Sequence, residues 1–134
     1  MPRTPFRVEV LTPEGEVFND DVELLSTYTP VGSIGVLANH QPLLTMLDPT
    51  ELRLYRSESD VLRFAQGEGF LQMAGTHALV LVDEVVPVDQ LDAATIRDRL
   101  REAEERVAEC PEGSESRRQA EREQRRYAAF AKLV

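Results

Sequence analysis

Phe6, Val8 and Val10 alternate with Arg7 and Glu9, the period-two pattern of a strand with one wet face. Thr12-Pro13-Glu14-Gly15 follows as a turn, with Pro13 preset for its first corner and Gly15 at its last. Val17-Phe18 resumes the strand, and the polar run Asn19-Asp20-Asp21 reads as its break. Val22, Leu24 and Ser26 alternate with Glu23, Leu25 and Thr27 until Pro30 ends that strand. Leu52 and Leu54 alternate with Arg53 and Tyr55; Ser57 to Asp60 is a hairpin turn, and Leu62 and Phe64 return from it. Phe70 to Met73 and Ala78 to Val82 form another pair across Ala74-Gly75-Thr76-His77. Short, regularly spaced strands separated by turn residues predict a sandwich or barrel.

At Val86-Pro87-Val88 the period changes to that of a helix. Asp89 is placed to cap it, with Asp92 in the first turn, where carboxylates suit the positive helix end. Ile96, Leu100, Ala103 and Val107 form one apolar seam, and the helix should stop near Cys110-Pro111. Ser114 or Ser116 caps a second helix carrying Ala120, Tyr127, Ala131 and Val134 on one seam, interrupted at Gln124. The short loop between them makes the helices antiparallel neighbours. The predicted fold is therefore α+β: an antiparallel β-sandwich over 1–88 and an antiparallel α-helical hairpin over 89–134. The hairpin's seam holds about one apolar residue per turn, several of them alanine, so it buries little and can detach at small cost.

Between the strands lies Val31 to Thr45, which holds Gly32, Gly35 and His40. The two glycines suit positions of positive φ or close approach, with Ile34 between them facing a core. Pro42 lacks an N–H, so Leu43, Leu44 and Leu47 open a new strand. By pattern alone this is a tight corner in an all-β domain.

Charge separates the two parts. Positions 1–88 carry 13 carboxylates against 5 arginines, a net −8; positions 89–134 carry 11 against 10 cations, a net −1. An acidic body of this kind is a poor partner for nucleic acid, whose phosphates need a basic surface. The opening Met1 to Phe6 lacks the apolar core of a secretory leader, and no run approaches the ~20 apolar residues of a membrane helix. The expected placement is cytoplasmic, with no direct membrane insertion and any membrane association made through a partner.

Candidate chemistry is sparse. His40 and His77 are the only histidines and neither has a neighbouring ligand type, so no metal is expected; His40 is expected to bond a loop carbonyl. Cys110 is the single cysteine, which excludes an internal disulfide and reads as a spectator thiol. The pairs Asp20-Asp21 and Asp83-Glu84 adjoin turns and read as solvated. No nucleophile–base constellation is present, and no catalytic residue is assigned. Arg118, Arg122, Arg125 and Arg126 form a cationic stripe on the second helix. Such a stripe is either a solvated face, paired to Glu121 and Glu123, or a surface for an acidic partner.

Several segments together resemble one family. Gly32-x-x-Gly35 followed by His40-x-Pro42-Leu43-Leu44-Thr45 is similar to the signature of the ε subunit of bacterial F-type ATP synthases, called δ in mitochondria. Phe6 to Val10 with Thr12 to Gly15, then Gly67-Glu68-Gly69-Phe70-Leu71 and Val80 to Asp83, match further segments in order. Ala38-Asn39 stand where the family has Pro-Gly, and Asn tolerates the left-handed turn.

The resemblance implies a sandwich bound to the γ subunit and the c-subunit ring in the central stalk, at the cytoplasmic face of the membrane. It implies contacts from Val31, Ser33 and His40 to the ring or to γ, although an acidic residue usual near Ser33 is absent. It implies that the hairpin can extend and bring Arg118, Arg122, Arg125 and Arg126 to an acidic segment of the catalytic β subunits, braking ATP hydrolysis. Some relatives bind ATP in the folded hairpin. Here Leu91-Asp92 and Arg126 match that motif, but Thr95 and Phe130 replace two of its arginines, so no cofactor is expected. The isolated chain is expected to be a monomer. Two other readings stay open: a free-standing sandwich that dimerises through Ile96, Leu100 and Val107, and a small hydrolase.

Overall fold

The structure, a computed structural model, describes residues 3–134. Met1 and Pro2, part of the segment read as lacking a leader, lie outside the described residues. Among the described residues ten strands come first: β1 (Phe6–Thr12), β2 (Gly15–Val22), β3 (Leu24–Thr29), β4 (Gly32–Val36), β5 (Leu43–Leu47), β6 (Thr50–Tyr55), β7 (Val61–Gln66), β8 (Gly69–Ala74), β9 (His77–Val82) and β10 (Val85–Pro87). A single 3₁₀ turn, Val88–Gln90, leads to α1 (Ala93–Glu109) and α2 (Glu115–Ala131).

The strands make two five-stranded sheets, ordered β2-β1-β9-β8-β5 and β10-β7-β6-β3-β4. Their inner faces close on one core. Phe6, Val8, Val10, Leu71, Met73 and Val80 come from the first sheet, and Leu25, Val36, Leu52, Leu54 and Phe64 from the second. The pairing is antiparallel except between β1 and β9, which run parallel from Arg7↔His77 to Leu11↔Leu81.

Three readings of the strands and caps are corrected. Asn19-Asp20-Asp21 do not break β2. They pair with Glu9, Val8 and Arg7 at the sheet edge, where backbone bonds carry the strand and charged side chains face water. In β3 it is Leu25, Thr27 and Thr29 that are buried, while Leu24 and Ser26 are half-buried, because the chain changes sheet at Glu23 and the alternation restarts. The cap of α1 is Asp92, whose carboxylate accepts the Ala94 N–H at 3.3 Å and the Thr95 hydroxyl at 2.6 Å; Asp89 belongs to the 3₁₀ turn. Ser114 caps α2 by accepting the Arg117 N–H at 3.1 Å.

The helices lie antiparallel and dock at one end of the sandwich through a small second cluster. Ala65 of β7, Ile96, Tyr127 and Phe130 are its buried members, with Leu91, Leu100, Ala131 and Leu133 packed around them. Ile96 and Leu100 are thus committed to the chain's own body, against the dimerising tail of one alternative. Phe130, read only as a replaced motif position, is fully buried edge-on to Tyr127 at a 5.9 Å ring separation, whereas Val134 is exposed. No described helix is long and apolar enough to cross a membrane.

Candidate functional site

Three surfaces carry the candidate residues. The first is the glycine stretch, which the structure divides in two. Pro30-Val31 is the two-residue tip between β3 and β4. The Thr29 hydroxyl ties it, donating to the Gly32 carbonyl at 2.9 Å and accepting the Val31 N–H at 3.2 Å. Gly32, at φ +134°, makes the turn, and Val31 is 98% exposed. Ser33 is exposed in β4, opposite Tyr28. His40 lies beyond the other end of β4, about five residues or ~16 Å along the strand. There Asn39 adopts φ +62° and the His40 Nδ1 meets the Gln41 carbonyl at 2.8 Å, a loop-carbonyl contact as expected. Val31 and Ser33 therefore share a tip that His40 does not join. Gly35 has neither a positive φ nor a crowded Cβ direction, against the reading made for it.

The second surface is the outer face of the first sheet. Met46, Phe70 and Leu81 stand side by side on β5, β8 and β9, with Leu44 two positions from Met46 on the same face. They are 59%, 49%, 44% and 72% exposed. Four large apolar side chains left in water on one face mark an interaction surface. The sequence shows the alternation, but not that both faces of these strands are apolar for different reasons.

The third is the junction of α2 with the sandwich. Arg126 is not on a solvated stripe; its side chain is 13% exposed. Its Nε and Nη2 donate to the two carboxylate oxygens of Glu68 at 2.8 and 3.2 Å, Nη2 also to Asp83 at 3.3 Å, and Nη1 to Glu84 at 3.5 Å. Burial opposes the charge, but the Glu68 hydrogen bonds and the surrounding carboxylates hold the guanidinium more firmly protonated than usual. Of Asp83-Glu84, both read as solvated, Asp83 stays exposed and only Glu84 is corrected: half-buried, it also accepts the Tyr127 hydroxyl at 3.0 Å and faces Arg99 at 3.5 Å. Arg99 and Arg126 both lie over the Tyr127 ring, 5.7 and 5.8 Å from its centroid. Burial and the Glu84 charge raise the Tyr127 phenol above its ordinary value.

The other stripe residues are exposed. Arg125 reaches Asp48 of the body at 3.0 Å, while Arg118 and Arg122 share Glu115 at 2.9 and 3.7 Å. The pairing with Glu121 and Glu123 goes to other arginines, Arg117 and Arg106. In the sequence Asp83-Glu84 stand out only as a solvated pair and Tyr127 only as a seam residue, since nothing in their spacing, or in that of Glu68, links them to Arg126. The one available signal was the Gly67-Glu68-Gly69 turn. Among the described residues, no group of three or more His, Cys, Asp or Glu is arranged to hold a metal.

With this geometry in hand, the similarities to known proteins are specific. Residues 5–88 match the family profile of the β-sandwich domain of the ATP synthase delta/epsilon chain. The chain is 32% identical over 129 residues to an ATP synthase epsilon chain from Sulfurihydrogenibium sp. (strain YO3AOP1), covering 96% of both. It is 35% identical over 104 residues to the epsilon chain of Persephonella marina, covering 78% of this chain and 76% of that one. Its fold superposes with a TM-score of 0.76, at 20% identity, on a chain of the Euglena gracilis mitochondrial ATP synthase, solved as OSCP/F1/c-ring in rotational state 1. That match covers 95% of this chain and 80% of the other. A chain of the Tetrahymena thermophila mitochondrial ATP synthase central stalk/c-ring gives 0.62 at 15% identity, with 98% of each covered.

Proposed function

The chain belongs to the delta/epsilon chain family of the ATP synthase, and we propose from that premise that it works as a non-catalytic subunit of the rotor. In this reading the sandwich docks on the γ subunit and the c-subunit ring, and couples one to the other. The observation that carries it is the exposed apolar face of Leu44, Met46, Phe70 and Leu81, which a lone monomer has no use for and a shaft subunit would cover. The Val31–Ser33 tip and the His40 turn, at opposite ends of β4, can reach two different neighbours, the ring and γ. Attachment to the cytoplasmic face of the membrane then comes through the complex.

The hairpin is the regulatory part. Released from the body, it would offer Arg118, Arg122, Arg125 and Arg126 to an acidic segment of the catalytic β subunits and brake ATP hydrolysis. ATP itself is not a ligand in this reading. The two charged residues among those that match the nucleotide motif are engaged already, Asp92 in the α1 cap and Arg126 with Glu68.

Co-purification with a γ subunit and a c ring tests the docking. The native chain is expected to be retained and Phe70→Glu to be lost; equal retention of both removes the apolar face from the interface. For the brake, Arg122→Glu with Arg126→Glu in the assembled enzyme is expected to raise ATPase activity. Unchanged activity at low and high salt overturns it.

A further inference from the structure

We propose that Glu68, Asp83 and Glu84 form an intramolecular competitor for Arg126, so that the body withholds part of the arginine face from the acidic partner until the hairpin lifts. The partner rests on the reading above; the competition itself rests on geometry.

All three bond-forming nitrogens of the Arg126 guanidinium are used inside the chain, two of them in a fork on one carboxylate. At 13% exposure the group has no room for a second acidic ligand, so an outside carboxylate must wait for these bonds to break. Arg118, Arg122 and Arg125 are exposed in the same state and hold at most one carboxylate each. The docked chain therefore shows three cations of the stripe and hides the fourth.

The receptor is built rather than improvised. The loops carrying its carboxylates are bonded to each other, Gly67 N–H to the Glu84 carbonyl at 2.7 Å and Asp83 N–H to that of Glu68 at 3.1 Å. Gln66, fully buried, fixes the loop by donating to the Gly67 and Asp48 carbonyls at 3.1 and 3.0 Å and accepting from Thr27 at 2.6 Å. Gly67 leaves the space the arginine occupies; a methyl there would stand 3.3 Å from Arg126 Nε and from the Glu84 carbonyl. Lifting the helix would leave three carboxylates together without their shared cation, which favours redocking. An acidic partner has to outbid that arrangement, and a single carboxylate cannot match it.

The test uses the full chain with Cys110→Ser, spin-labelled at Glu58→Cys on the β6–β7 turn and Glu112→Cys on the interhelix loop. Distance distributions by pulsed electron resonance are expected to show one docked population. Glu68→Gln with Asp83→Asn should raise the lifted fraction about tenfold or more. Arg126→Gln, which alters only the helix, should do the same, and Asp21→Asn, in a remote surface pair with Arg7, should do nothing. Unchanged distributions in both the double variant and Arg126→Gln overturn the proposal. In the assembled enzyme, Glu68→Gln with Asp83→Asn is expected to deepen the inhibition. Shifted distances with unchanged ATPase activity would support the competitor and count against the brake.

Discussion

Arg53 and Arg63 stand directly opposite one another across the β6–β7 ladder, two like charges in register. Glu51 lies between them, forked onto Arg63 at 2.8 and 2.9 Å and bonded to Arg53. The Arg63 hydrogen bonds, helped by Arg53 and opposed by burial, bring the Glu51 carboxyl down to about 2. Its folded value lies below the unfolded one of ~4.3, so the stabilisation is complete above that pH and disappears as pH falls toward 2. Glu51→Gln is expected to cost on the order of 1–2 kcal/mol at neutral pH, discounted because both arginines are half exposed. Urea titrations of both chains should converge between about pH 4 and pH 2; a constant difference across that window would contradict the assignment.

Phe130 holds the hairpin down. Phe130→Ala removes the largest fully buried side chain of a four-residue cluster, a loss of about 3–5 kcal/mol when the site cannot collapse. Docking is expected to fail while the sandwich, whose core is separate, stays folded. Amide exchange checks this: the end of α2 should lose protection and β6–β9 should keep theirs.

Two glycines should respond oppositely to the same methyl group. At Gly69 a Cβ would fall 1.9 Å from the Leu81 carbonyl oxygen, backbone that cannot swing away, so Gly69→Ala should cost several kcal/mol or prevent folding. At Gly35 the nearest atom is Leu24 Cδ1 at 3.7 Å, ordinary contact, and Gly35→Ala is expected to be neutral or mildly stabilising. Thermal melts of the two variants decide it.

Calorimetric titration of the native chain with ATP is expected to show no saturation below millimolar concentration. Thr95→Arg with Phe130→Arg would supply two cations, but at the expense of the Asp92–Thr95 bond and the buried ring. Saturation by the native chain would mean that Arg126 leaves Glu68 more readily than its geometry suggests.

The strands were legible where one face is wet and the other buried, as at Phe6-Val8-Val10 and Leu52-Leu54, because solvent writes the alternation into the side chains. Asn19 to Asp21 were misread because an edge strand needs no apolar residue on its open side; backbone pairing does not show in composition. Asp92 and Asp89 were interchanged because both precede an apolar run, and only the 3₁₀ turn separates them. At the junction, the arginine stripe was visible at helical spacing, but Glu68, Asp83 and Glu84 meet Arg126 across 42 to 58 positions. Such an encounter is a product of topology and leaves no local trace.

The parallel β1–β9 pair sets an order on the birth of this molecule. β1 leaves the ribosome well before β9 and stays without its inner neighbour until residues 77–82 have been made. A chain interrupted before then exposes the inner edge of β1 as a template for stray pairing, and the helices arrive only after closure is possible.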